Sequence, residues 1–162
     1  MFIKQADLLW GLDKGFIKGL MDMAHKEHHD AGSFLFTEGE SADSFYLMLK
    51  GRVRLLVSPS ELHVHIVAHA GETFGWSGLV GRDHYSSTGE CVDDTILMRF
   101  NCSDVIELCK KDSVTGMQFF QRLAGTLGHR LINSYRVDHI HAGHDDARTF
   151  GSRQMIDSEL TP

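Results

Sequence analysis

Apolar residues recur at helical spacing from about Ala6 to Met23, at Leu9, Leu12, Phe16, Leu20 and Met23. This periodicity predicts a helical N-terminal segment. Gly11 and Gly15 interrupt it and split it into two short helices. From Gly32 to Phe100 the pattern changes to short apolar or alternating runs, SFLFTEG, SFYLMLKG, RVRLLV, LHVHIVA and TILMRF, separated by Gly39, Gly51 and Gly71. Runs of this kind predict several short strands joined by tight turns. After Asn101 a period near 3.6 returns, first in SDVIELCKK and then over about Ser113 to Val137, with Ser103 and either Asp112 or Ser113 as N-caps. Beyond Asp138 the pattern gives way to polar residues rich in Gly and His, which predicts a loose tail.

The fold class that follows is α+β, a double-stranded β-helix (a jelly-roll-like β-roll) flanked by N-terminal helices and a long C-terminal helix. The roll spans about residues 32–100 and the long helix about 113–137. Residues 1–137 make one domain, and 138–162 the tail. A chain of 162 residues that is 42% hydrophobic has room for one good core and not two.

Charge and cysteines narrow the function classes. A formal charge of −6 disfavours nucleic acid as a partner, because phosphate polymers are held by clustered Lys and Arg. No window approaches the roughly 18 apolar residues of a membrane helix, and no apolar run follows a basic start, so the expected location is the cytoplasm, away from membranes. Cys91, Cys102 and Cys109 are odd in number and lack CxxC spacing. They are expected to be reduced and partly buried.

The words GSFLFTEGESADSFYLMLKG (Gly32 to Gly51) and AGETFGWSGL (Ala70 to Leu79), with the helices that follow, resemble a cyclic nucleotide-binding domain of the catabolite-activator and FNR regulators. The resemblance covers roughly Leu9 to Val137. It implies that the β portion is a double-stranded β-helix (jelly-roll-like β-roll), and that the module is regulatory and ligand-binding, without catalysis. In that family a short helix N-terminus holds the cyclic phosphate, an acidic residue after the glycine takes the ribose hydroxyl, and a later arginine pairs with the phosphate. Here the candidate pocket begins at Phe74, Gly75, Trp76 and Ser77, and the acidic position is Trp76. The arginine position falls at Tyr85, flanked by Arg82, Ser86 and Ser87. A tyrosine cannot match a guanidinium fork on phosphate, and an indole N–H cannot accept from ribose. Cyclic nucleotide binding is therefore expected to be weak or lost, and Trp76 and Tyr85 are candidates to fill the vacated pocket. No cofactor is expected.

On the long helix Met117, Phe120, Ala124, Leu127, Leu131 and Ser134 follow the 3,4 spacing of a helix that pairs with its own copy. The resemblance implies a homodimer through this helix, with Arg130 and Ser134 near the ligand. The resembled regulators continue into a helix-turn-helix DNA reader, which the residues after Val137 are too few and too acidic to form. Action through an unidentified protein partner, not DNA, is expected.

Eleven histidines raise a metal alternative. His63, His65 and His69 share one strand face if the strand runs unbroken, and His25, His28 and His29 share a helix face if that segment is helical. An H-x-H strand in a roll also suggests a cupin-type metal-dependent enzyme. The glutamate that such an enzyme needs four or five positions later is absent, Glu72 being seven away. The expectation is that no metal is held there, and that any metal affinity belongs to the HIHAGH segment.

Overall fold

In the computed structural model, residues 8–58 and 62–141 are described, the side chains of 62–64 and 136–141 excepted. Asp13 starts the first helix. Its carboxylate accepts from the N–H groups of Gly15 and Phe16 at 2.7 and 3.1 Å, satisfying two donors that a helix N-terminus otherwise leaves open. Helix α1 then runs Lys14–Asp22 and buries Phe16 and Leu20. The expected first helix of the pair is a turn, broken at Gly11 (φ 76), where the chain enters the left-handed region open to glycine.

Eight strands follow among the described residues: β1 His25–His29, β2 Phe34–Phe36, β3 Ser44–Lys50, β4 Val53–Val57, β5 Leu62–Val67, β6 Thr73–Phe74, β7 Thr88–Cys91 and β8 Thr95–Asn101. They form two antiparallel four-stranded sheets, ordered β1-β8-β3-β6 and β2-β7-β4-β5. A five-residue 3-10 helix, Trp76–Val80, lies between β6 and β7. Helices α2, Cys102–Lys111, and α3, Ser113–His141, complete the order.

Strand β3 shows how one sequence serves two cores. Its side chains alternate, so Phe45 and Leu47 join the helices with Phe100, Phe119 and Leu123, while Tyr46 and Met48 join Phe74, Val53 and Leu97 inside the roll. Both faces are covered, which is why SFYLM is buried throughout. The β3–β4 turn depends on Gly51 at φ 105, because a Cβ there would meet Asp94 O and Thr95 Cα at 2.8 Å.

Several expectations need correction. HKEHH is strand β1, paired with β8 from His25↔Arg99 to His29↔Thr95, so His28 is on the opposite sheet face from His25 and His29. Strand β5 ends at Val67, which leaves His69 outside it. The cap of α2 is Asn101, whose carbonyl oxygen accepts from the Ser103 N–H and hydroxyl at 2.9 and 2.6 Å, while Asp112 accepts from Thr115 N–H at 3.1 Å at the start of α3. Helix α3 continues to His141, past the expected end at Val137. The rest of the expected tail lies outside the described residues.

The chain divides into two units, Met1–His129 and Arg130–Pro162. The three cysteines are free and buried, and burial pushes the Cys102 and Cys109 thiols up to about 11. No helix among the described residues is long and apolar enough to cross a membrane.

Candidate functional site

Tyr85 reaches the interior of the roll from the segment before β7. Its ring stacks on Phe36 at 4.2 Å between centroids, and Phe36 continues the stack to Tyr46 at 5.6 Å, which meets Phe74 at 5.3 Å. Offset aromatic contacts at these separations contribute beyond the area they bury. The Tyr85 hydroxyl donates to Ser44 O at 2.6 Å and accepts from Ser44 N–H at 3.2 Å. Both ends of the side chain are thereby held, the ring by apolar contact and the oxygen by the start of β3. Burial raises the Tyr85 phenol above its ordinary value, despite the opposing hydrogen bond to Ser44, and burial likewise raises Tyr46. Both are neutral near pH 7.

The backbone closes around this ring. Tyr85 N–H donates to Glu40 O at 2.9 Å, Gly39 N–H to Tyr85 O at 3.0 Å and Ala42 N–H to Asp83 O at 2.9 Å. Gly89 on β7 is needed opposite, since a Cβ there would lie 2.8 Å from two carbons of the Phe36 ring. Gly75 does the same for Tyr46, whose ring would be 3.0 Å from its Cβ.

The expected pocket residues of the first unit fall in different surroundings. Phe74, Gly75 and Tyr85 meet in the aromatic cluster, with Phe36 and Tyr46 as the partners that the sequence pattern assigns only to the core. Trp76 packs against the other cluster, with the helices, and so does not share the fill of the interior with Tyr85. Ser77 is buried and its carbonyl accepts from Arg82 N–H at 3.1 Å. Arg82 and Ser86 are exposed, and Ser87 is half-buried. In the second unit Arg130 is half-buried, and exposed Ser134 spends its hydroxyl on Leu131 O of its own helix at 2.8 Å. Of the six residues at the expected seam spacing, Met117, Ala124, Leu131 and Ser134 are exposed, whereas Phe120 and Leu127 pack against the core.

A charged pair lies at the rim of the same sheet. Arg99, opposite Tyr46 in the β3–β8 register, donates through Nε to Glu27 at 2.6 Å and through a terminal nitrogen to Ser44 Oγ at 3.4 Å. His29 Nε2 is 3.0 Å from the other Glu27 oxygen. Burial alone would raise Glu27, but hydrogen bonds from Arg99 and His29 outweigh it, so the carboxyl titrates below its ordinary value. Stability from this depressed group is complete above the unfolded carboxylate pKa and is lost as pH falls through the native one, below about pH 4. Glu27→Gln is expected to lower the melting temperature near pH 7 and to flatten its acid limb. Thermal melts from pH 3 to 7 check this, and parallel curves for the two proteins would refute it.

The histidines are brought together differently from the expectation. His65 Nε2 is 3.6 Å from Glu72 Oε1, and His69 Nδ1 is 3.3 Å from Oε2 of the same carboxylate. Seven positions separate Glu72 from His65 in sequence, but the β5–β6 turn returns it. Among the described residues no group of three or more His, Cys, Asp and Glu is arranged to hold a metal ion. The side chain of His63 lies outside the described residues.

Two four-stranded antiparallel sheets around an aromatic interior, with a short helical cassette between β6 and β7 and helices before and after them in the chain, define a β-roll flanked by helices. The sequence pattern of the cyclic nucleotide-binding domain family matches residues 26–112, more than half of the chain, which belongs to that family. Among curated relatives, cGMP-dependent protein kinase, isozyme 1, of Drosophila melanogaster is 28% identical over 87 residues, covering 51% of this chain and 11% of that protein. Human cGMP-dependent protein kinase 2 is 26% identical over 85 residues, again covering 51% and 11%. The chain thus spans about 11% of the length of these two kinases. Among solved structures, Thermus thermophilus catabolite activator protein is 21% identical with a TM-score of 0.66, over 83% of this chain and 63% of that one. The regulatory subunit of a cAMP-independent protein kinase A from Trypanosoma brucei is 19% identical with a TM-score of 0.58, over 69% and 43%. At these identities the structures show the shared fold.

Proposed function

We propose that this domain is a non-catalytic regulatory module that has given up tight cyclic nucleotide binding and works through protein contacts. The observation that carries the reading is Tyr85, stacked on Phe36 at 4.2 Å and bonded at its hydroxyl to both backbone groups of Ser44. It stands where the resemblance calls for a phosphate-pairing arginine, and its ring lies among the aromatic residues of the roll interior. A phosphate entering there would exchange its water for apolar rings without a counter-charge, a transfer that strongly disfavours binding. Nearby Arg99 is already paired with Glu27. The trypanosome neighbour, the regulatory subunit of a cAMP-independent protein kinase A, is a precedent for regulation on this fold without cAMP. No metal or other cofactor enters the reading. A cytoplasmic setting agrees with three unpaired, buried cysteines.

The protein contact is self-pairing along α3. Val114 and Met117 are exposed at 71 and 65%, and with Ala124 and Gly128 they keep a 3,4-type spacing offset from the core-facing Phe120 and Leu127. A Cβ at Gly125 or Gly128 would have nothing within 4 Å, so another backbone has room to approach. Met117→Glu is expected to dissociate the pair. Light scattering at about 100 μM checks it, and a monomeric wild-type protein would rule the pairing out.

For the lost ligand, the melting temperature is expected to be the same with and without 1 mM cAMP or cGMP. A ligand with a dissociation constant of about 10 μM would add about 2.7 kcal/mol at that concentration, a shift too large to miss. Such a shift would contradict the proposal.

A further inference from the structure

Away from the roll interior, the turn before α1 and the first half of α3 form a corner whose outer face carries polar side chains. Arg122 lies over the indole of Trp10, its guanidinium carbon 5.3 Å from the ring centroid, and Trp10 is 63% exposed. Gln118, four residues earlier on α3, shares the face of Arg122. Gln118 and Arg122, together with Gln121, Gly11 and Leu12, line a cleft of about 390 Å³. Leu8, Leu9 and Leu12 anchor the turn in the core, and Gly11 at φ 76 reverses it, so a bare backbone passes beside the guanidinium. A Cβ at Gly11 would lie 3.4 Å from Arg122 Nη2.

Arg52, Arg54 and Arg99 are each held by a carboxylate, at distances of 2.5 to 2.8 Å. Arg122 has no such partner among the described residues; its described side-chain contact is the indole. Stacking uses the face of a guanidinium and leaves its edge, where the N–H donors are, open to a planar oxyanion. The side-chain amide of Gln118 adds a donor and an acceptor. The net charge of −6 does not decide against an anion here, since exposed charges are screened beyond about 8 Å at physiological ionic strength. The cleft volume is in the range of small-molecule sites, about 300–1,000 Å³.

We infer that this cleft binds a small organic oxyanion, a carboxylate or a phosphate monoester, with Arg122 as its counter-charge, Gln118 as a hydrogen-bonding partner and Trp10 holding the guanidinium in place. The site is separate from the roll interior, and it stands or falls independently of the loss of cyclic nucleotide binding. The chain has two tryptophans, so Trp76→Phe leaves Trp10 as the sole emitter. Benzoate, phenyl phosphate and inorganic phosphate are titrated at constant ionic strength while Trp10 fluorescence is followed. If Trp76→Phe does not fold, the indole N–H signal of Trp10 in the wild-type protein, assigned with Trp10→Phe, gives the same readout by NMR. The expected result is a saturable change with benzoate or phenyl phosphate, half complete below about 5 mM, and at least tenfold weaker in Arg122→Gln. Saturation by benzoate assigns a carboxylate ligand and saturation by phenyl phosphate a phosphate ester. Saturation by inorganic phosphate alone overturns the organic ligand. The site itself is overturned if none of the three saturates, or if Arg122→Gln binds as well as the wild type.

Discussion

Tyr85→Ala is expected to destabilise the domain by about 4 kcal/mol, because it deletes a buried aromatic ring and leaves a cavity beside Phe36 that the β-sheets cannot close. The ring is 6% exposed and is the terminal member of the stack through Phe36 and Tyr46 to Phe74. For a chain of this size the loss corresponds to a fall in melting temperature on the order of 10 °C. Tyr85→Phe separates the two contributions. It keeps the ring and removes the hydroxyl that serves Ser44 N–H and C=O, at a cost of about 1–3 kcal/mol. Denaturant unfolding of both variants measures the difference. If the alanine variant were as stable as wild type, Tyr85 would not be the internal fill.

Gly78→Ala has the second large effect. Gly78 lies in the 3-10 helix against the segment before β3, so closely that a Cβ would overlap the carbonyl oxygen of Ala42 and come within 3.1 Å of Cys102 Sγ. A backbone carbonyl cannot swing aside as the end of a long side chain can. One added methyl is therefore expected to cost about 3 kcal/mol, at the upper end for overpacking. Because Ala42 N–H also bonds Asp83 O, the displacement would loosen the segment that carries Tyr85. Faster amide exchange at Ala42 and Tyr85 in this variant checks the coupling, and unchanged exchange there with unchanged stability would refute it.

The roll was legible because its strands obey local rules. SFYLMLKG and TILMRF are β-rich runs between turn residues, and the positive φ of Gly39 and Gly51 (87 and 105) is what tight reversals demand. Strand β1 was not legible, because HKEHH contains no apolar residue and is strand only through its pairing with β8. Its burial alternates only between exposed and partial, and the more buried positions, Glu27 and His29, are polar, so no apolar alternation marks it. Asn101 took the cap expected at Ser103 because β8 runs directly into α2, and no local signal separates two capping residues two positions apart. On α3 the seam through Phe120 and Leu127 and the exposed one through Gly128 share Met117 and Ala124, and spacing alone does not say which side meets the roll.

The candidate site was half legible. The resemblance sets Tyr85 at the position of a phosphate-pairing arginine, and a phenol lacks the guanidinium fork and charge for that pairing. Its partners could not be read. Phe36, Ser44 and Tyr46 come from other strands, and only tertiary contact shows that Tyr85 stacks on the first and bonds the second. Trp76 illustrates the opposite case, since its position next to Gly75 suggested the pocket and its ring went to the other core. A small residue facing a large one was the available signal, at Gly89 opposite Phe36, and it becomes readable only once the β2–β7 register is known.

The central claim is that Tyr85 occupies the place of a cyclic phosphate and its counter-charge. Calorimetric titration of the wild-type protein with cAMP and with cGMP tests it most directly. The account predicts no saturable heat up to about 1 mM of either nucleotide. A dissociation constant at or below about 10 μM, near 7 kcal/mol of binding free energy, would contradict it.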